Sequence, residues 1–169
     1  HVEEPAKERC SRAVYVKQFH IDTPTYHLNS DTDARRLACL SGKWEDSDPK
    51  ALYNWFKTVV GTDNRDLLRR LVRYFKGWAA VAFEEAPSSR PSSIVLTVLA
   101  AEAFQAIWGA RWLGIEDDDA LIAVIAEIHK RLSADRRVAN PIDVSEDLNR
   151  IVDEDWDAFF TRLTLLQDA

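Results

Sequence analysis

Methionine is absent from all 169 residues, and the chain opens on His1. A primary translation product begins with Met, so the expectation is a trimmed chain or one piece of something longer. Cysteine is scarce: Cys10 and Cys39 have no metal-ligand spacing. They read as two reduced thiols of a cytoplasmic protein. A bridge between them would need an oxidising compartment and would suit a processed, secreted helical protein instead. Glycine is sparse, and nothing forms a glycine-rich phosphate loop or a nucleophile elbow. No apolar run reaches the ~18 residues of a membrane span. The opening HVEEPAKERC has no signal pattern. Positive charge is also in deficit: 22 Lys and Arg stand against 28 Asp and Glu, for a net charge of −6. That argues against an extended nucleic-acid footprint, which needs a basic excess. A local basic patch that handles a small anion remains allowed.

The strongest pattern present is residues 66–83, DLLRRLVRYFKGWAAVAF. Leu68, Leu71, Val72, Phe75, Trp78, Ala79 and Ala82 recur at three- and four-residue steps, the apolar stripe of a core helix. Asp63 is placed to cap its first turn. Beside the apolar stripe runs a second one, Arg69, Arg73 and Lys76. Cations so spaced do not stabilise one another. Two readings stand: a solvated face, or a face turned toward an anion such as a nucleotide phosphate.

Upstream, residues 12–28 are rich in Val, Tyr, Phe, Ile and Thr and read as two short strands joined near Lys17 and Gln18. Pro24 marks a strand end or edge. Asp22 in mid-strand is either an exposed edge charge or a carboxylate held over a cleft as a metal ligand, with His20 on the same face. Residues 34–40 read as a short helix, and no further strand is expected. Asp48 and Pro49 then announce a helix whose stripe is Leu52, Trp55, Phe56 and Val59, with Glu45, Asp46 and Asp48 at its amino end. Residues 94–108 are apolar almost all round, the mark of a buried helix. Ser92 and Ser93 before them either cap it or, with its free N–H groups, hold a phosphate. A helix opens at residues 116–119, with stripe Leu121, Ile125, Ile128 and Leu132 and with His129 near its end. A last helix is expected after a loop at 135–144, capped by Ser145 and carrying Leu148, Ile151, Val152, Trp156, Phe159 and Leu163.

Three stretches, in order and spacing, resemble a known family. FHIDTPTYHL is similar to the strand that carries the third catalytic aspartate in template-independent nucleotidyltransferases of the oligoadenylate synthase and cyclic GMP-AMP synthase type. LLRRLVRYFKGW resembles their spine helix, whose Lys before a Trp reaches the nucleotide triphosphate. RPSSIVLTVLAAEAF resembles the helix start that contacts the phosphates. KWEDSDPKALYNWF is similar to the bacterial DncV-like branch, the cyclic-oligonucleotide synthases (CD-NTases) of CBASS anti-phage defence. The resemblance covers most of residues 10–150.

The resemblance implies a magnesium-dependent phosphoryl transfer in which carboxylates hold two Mg²⁺ ions. Asp22 would be the third carboxylate and a Mg²⁺ ligand, Lys76 a triphosphate ligand assisted by Arg73, and Ser92 and Ser93 phosphate ligands. The family's Gly-Ser loop and Asp-x-Asp pair, which precede the third aspartate, have no counterpart in this sequence. The chain alone is therefore expected to be inactive and to need an amino-terminal catalytic segment, in the same or a separate chain. The expected fold is α+β, mostly α: residues 1–32 end a nucleotidyltransferase sheet as a short hairpin, and residues 33–169 form a helical bundle. The expected function is a nucleotidyltransferase portion of a synthase that joins nucleoside triphosphates, such as ATP and GTP, into a cyclic di- or trinucleotide. The competing reading is a helical binding or regulatory module that kept this fold without catalysis. Expected partners are nucleoside triphosphates and a regulatory protein, with no membrane.

Overall fold

The computed structural model describes residues 8–15, 20–107 and 114–169. The chain divides into two units between Leu52 and Tyr53.

The first unit is built of short antiparallel strands. β1 (Ser11–Val14) pairs with β2 (His20–Thr23), placing Arg12 opposite Asp22. The expected connection at Lys17 and Gln18, and Phe19 with it, lies outside the described residues. β2 ends just before Pro24, which has no N–H to continue a ladder. A separate three-stranded sheet follows, in the order β3 (Tyr26–Leu28), β4 (Arg35–Ala38), β5 (Trp44–Asp46). The helix expected over residues 34–40 is therefore a strand, and the expectation of no further strand fails. Period two decides it: Leu37 is buried while Arg36 beside it is exposed. Gly42, at φ 80°, turns the chain from β4 into β5, a left-handed position that favours glycine. Glu45 and Asp46 lie in β5 rather than at a helix start, and they pair with Arg9 and Arg36. Of the three acids, Asp48 is the cap. Its Oδ1 accepts from the N–H groups of Lys50 and Ala51 at 3.0 and 2.9 Å, one residue before α1 (Pro49–Thr58) begins.

The second unit holds the main core. α2 (Arg65–Ala82) buries Leu67, Leu68, Leu71, Val72, Phe75 and Ala79. Each fully buried Leu or Phe stabilises the fold by roughly 1.5–3 kcal/mol. Asp63 does not cap this helix; it lies in a 3₁₀ turn, Thr62–Asn64, that leads directly into it. Trp55, Phe56 and Val59 pack on the same core from the end of α1. α3 (Ser93–Ala106) is buried on nearly every side because it packs against both α2 and α4. Gly114, at φ 75°, precedes α4 (Asp117–Ala134), which buries Ala120, Val124, Ile125, Ile128 and Leu132. His129 is half-buried and satisfied, with Nε2 3.0 Å from Thr164 Oγ1 and its ring stacked on Phe160.

α5 (Asp153–Gln167) starts later than the sequence suggests, and Ser145 does not cap it. The preceding loop satisfies its own backbone. Asp143 Oδ1 accepts from the Ser145 N–H and hydroxyl, and Asp147 Oδ1 accepts from the Val138 and Asn149 N–H groups. Such local acceptors offer the backbone an alternative to helix. Leu148, Ile151 and Val152 therefore stand outside the helix, and Val152 is exposed.

Candidate functional site

The polar side of α2 borders a groove of about 650 Å³. Arg69, Arg70, Arg73 and Lys76 supply its cations and Asp66 its carboxylate; Phe56, Val72 and Thr97 complete the lining. A helix that buries one side in the core must present the other outward, so the periodicity that makes α2 a core helix also lines up its cations.

The four cations differ in their commitments. Arg70 is taken: its Nε and Nη2 each donate to Asp117 at 2.8 Å, and the Tyr74 hydroxyl donates to the same carboxylate at 2.9 Å. These bonds hold the Asp117 carboxyl down to about 2 and push the Tyr74 hydroxyl up. Arg69 reaches Asp66 at 3.3 Å, an exposed pair worth little. Arg73 and Lys76 have no ion-pair partner among the described residues. Partial burial pushes the Lys76 ammonium below the usual lysine range. An anion seated beside it would favour the charged form again.

Ser92 caps α3, its hydroxyl accepting from the Val95 N–H at 3.4 Å. Ser93 is the first residue of that helix. Neither lines the groove; Thr97, one turn along, does, and its hydroxyl donates to the Ser93 carbonyl at 2.7 Å. The loop before them is tied down by Ser88 and Ser89, whose hydroxyls both donate to Asp155 Oδ1 at 2.9 Å. The structure thus gathers Lys76 and Arg73 in one groove with Thr97 of α3 on its wall, and leaves Ser92 and Ser93 outside the lining. Arg70, Thr97 and Asp155 were not singled out from the sequence, and Phe56 was read only as part of the buried stripe of α1. Arg70 carried a signal, since it stands three residues before Arg73; the others depend on long-range packing.

Asp22 lies in the first unit. Arg12 Nε and Nη2 hold its two oxygens at 2.6 and 2.7 Å. A metal at Asp22 would have to displace that guanidinium. Among the described residues no three His, Cys, Asp or Glu side chains converge as a metal site. Magnesium keeps most of its waters unless several carboxylates and phosphates meet it, so the described residues do not by themselves fit two such ions.

No family model matches the sequence. The chain is 28% identical over 141 residues to the cyclic GMP-AMP synthase of Escherichia albertii, an alignment covering 83% of this chain and 30% of that protein. The crystal structure of Escherichia coli DncV in its 3'-deoxy GTP bound form superposes with a TM-score of 0.73 at 22% identity, over 97% of this chain and 44% of that one. Sequence and fold now point the same way. The chain is similar to the DncV-like nucleotidyltransferases. The Bradyrhizobium diazoefficiens CD-NTase CdnG in complex with GTP shares the fold, with a TM-score of 0.60 at 15% identity over 96% of this chain and 59% of that one. The chain thus spans less than two thirds of the length of each of these relatives. The α+β, mostly α fold expected of a DncV-like chain is the one observed, with two small antiparallel sheets and five α-helices among the described residues. None of the described helices is long and apolar enough to cross a membrane.

Proposed function

We propose that this chain supplies the triphosphate-binding helices of a DncV-like synthase that makes a cyclic di- or trinucleotide in bacterial anti-phage defence. In that chemistry a ribose hydroxyl attacks the α-phosphorus of a nucleoside triphosphate. A new P–O bond forms, the α–β bond breaks, and pyrophosphate leaves. Bound Mg²⁺ would activate the hydroxyl and neutralise the leaving group. The role assigned here to the chain's own residues is to hold and orient the phosphates. Lys76 and Arg73 bind them as charge-assisted donors, and the Ser92 and Ser93 end of α3 adds N–H groups and hydroxyls. The observation that carries this reading is the pair of cations, Arg73 and Lys76, in a groove on α2 with no ion-pair partner among the described residues.

The test is titration of the 169-residue chain with tripolyphosphate and with nucleoside triphosphates, with and without Mg²⁺, at two salt concentrations. Binding should weaken with salt and fall about tenfold or more in Lys76→Ala, since a hydrogen bond to a charged group is worth ~1.5–3 kcal/mol. Binding unchanged in Lys76→Ala and Arg73→Ala would overturn the assignment.

The hold of Arg12 on Asp22 favours a second reading, in which the groove binds a nucleotide and no chemistry follows. Incubating the chain with labelled triphosphates and Mg²⁺, alone and with an added segment bearing the Gly-Ser and Asp-x-Asp motifs, separates the two. Labelled cyclic product that needs the segment and is lost in Asp22→Asn supports the synthase. Binding without product in both mixtures supports the binding module.

A further inference from the structure

The two cysteines take no part in the groove, and the fold of the first unit brings them together. Cys10 stands immediately before β1 and Cys39 immediately after β4, yet both line one cavity of about 190 Å³. The stretch that carries Cys10 is docked on the β4–β5 turn by three contacts. The Glu8 carbonyl accepts from the Leu40 N–H at 2.8 Å, Glu8 Oε1 accepts from the Ser41 hydroxyl at 2.6 Å, and Arg9 pairs with Glu45 at 2.7 Å. The first of these sets the two stretches side by side at strand spacing, ~4.8 Å. A disulfide needs Cα atoms about 4.4–6.8 Å apart, which is the scale of such neighbours. Both thiols are free, Cys10 half-buried and Cys39 buried.

We propose that Cys10 and Cys39 form a redox modification site, a bridge made and broken by thiol–disulfide exchange with small disulfides and thiols of the glutathione type. The half-buried Cys10 is the sulfur that an outside reagent reaches. Its thiolate attacks one sulfur of the small disulfide, that S–S bond breaks, and one small thiolate leaves. Cys39 then gives its proton to solvent and attacks the Cys10 sulfur. The Cys10–Cys39 bond forms and the second small thiolate leaves. Two protein thiols are oxidised, and one small disulfide is reduced to two thiols. The step at Cys39 is the slow one. Burial pushes its thiol up, Glu45 and Glu8 add to the effect, and Arg9 opposes it. A bridge that exchanges in this way needs no permanently oxidising surroundings. It encloses β1 to β4, and with them the Arg12 and Asp22 pair, in one covalent ring.

The experiment equilibrates the 169-residue chain with mixtures of reduced and oxidised glutathione, quenches with acid, and reads intact mass without reductant. The expected product is two hydrogens lighter than the parent, reverts when reduced glutathione is in excess, and yields a proteolytic fragment joining Cys10 to Cys39. Its equilibrium constant should be about thirtyfold or more larger in the folded chain than in concentrated urea, the usual size of the effect for a bridge the native fold favours. Formation should speed up about tenfold per pH unit through neutrality, since only the thiolate attacks. Cys39→Ser should stop at a mixed disulfide on Cys10. Cys10→Ser should leave Cys39 unmodified when folded and let it react in urea. A parent chain that stops at the mixed disulfide overturns the proposal. So does a bridge no more favourable when folded than in urea, or a disulfide found only between two chains, seen as a doubled mass.

Discussion

Arg70 and Asp117 meet as two parallel forks, nitrogen to oxygen at 2.8 Å on both prongs, across 47 residues of sequence. The pair ties the polar side of α2 to the first turn of α4, where a carboxylate also suits the helix dipole. It sets Arg70 apart from its neighbours on the same helix. Arg70 fastens helices, and Arg73 and Lys76 are left for a ligand.

Acid should loosen this fastening first. Asp117 titrates at about 2 in the folded chain, below the ~3.9 of an unfolded aspartate. A depressed folded value means that its stabilisation is full above the unfolded value and is lost as the pH falls from about 4 toward 2. Urea midpoints measured from pH 5 to pH 2 should fall more steeply for the parent chain than for Asp117→Asn. Parallel curves would show that the pair contributes nothing.

Lys76 responds in the opposite pH range. Burial has already lowered its proton affinity, and a bound phosphate raises it. Tripolyphosphate affinity should therefore decline on the alkaline side before an ordinary lysine would lose its charge, and binding there should take up a proton. Calorimetry in buffers of different ionisation enthalpy reads that uptake. Lys76→Arg should bind without it, because a guanidinium keeps its proton throughout.

Ser92 can be tested for capping and phosphate binding at once. Ser92→Ala removes the cap and should cost about 1 kcal/mol of stability. Ser92→Asp restores a good cap, so stability should return. If the α3 start also holds phosphate, the same aspartate should repel it and weaken tripolyphosphate binding severalfold. Recovery of both stability and affinity in Ser92→Asp would leave Ser92 as a cap and nothing more.

Asp155 anchors the loop ahead of α3 through Ser88 and Ser89, and Ser89 is 2% exposed. Removing the acceptor leaves a buried hydroxyl unpaired, at about 1–3 kcal/mol. Asp155→Ala should therefore lower the urea midpoint more than Ser89→Ala does. The double variant should cost less than the sum of the two, because the orphaned hydroxyl is gone.

The helices were the legible part of this chain, for a definite reason. The stripe from Leu68 to Ala79 repeats over several turns, and Asp48 and Pro49 are local signals that need no distant partner. The strands within residues 12–28 were legible too, from their Val, Tyr, Ile and Thr, but β4 and β5 were hidden because they are only four and three residues long. β4 carries two arginines and a single fully buried residue, Leu37, which is too little for a period of two to stand out. Ser145 misled because a serine before acids looks like a cap whether its hydroxyl meets a helix or, as here, Asp143. At the groove, the row of Arg69, Arg73 and Lys76 was visible on one helix. Phe56 and Thr97 join it, and Asp117 reaches Arg70, only through packing between helices.

The two sides of α2 have a consequence for how this sequence can change length. An α-helix turns by about 100° per residue. Inserting a single residue near Leu71 would swing everything after it by that angle. Arg73 and Lys76 would rotate toward the core and Phe75 toward water. Substitutions touch one side at a time; a one-residue insertion removes stability and ligand binding in the same step. Tolerated insertions should instead collect in loops such as residues 135–152, where no helix carries the error forward.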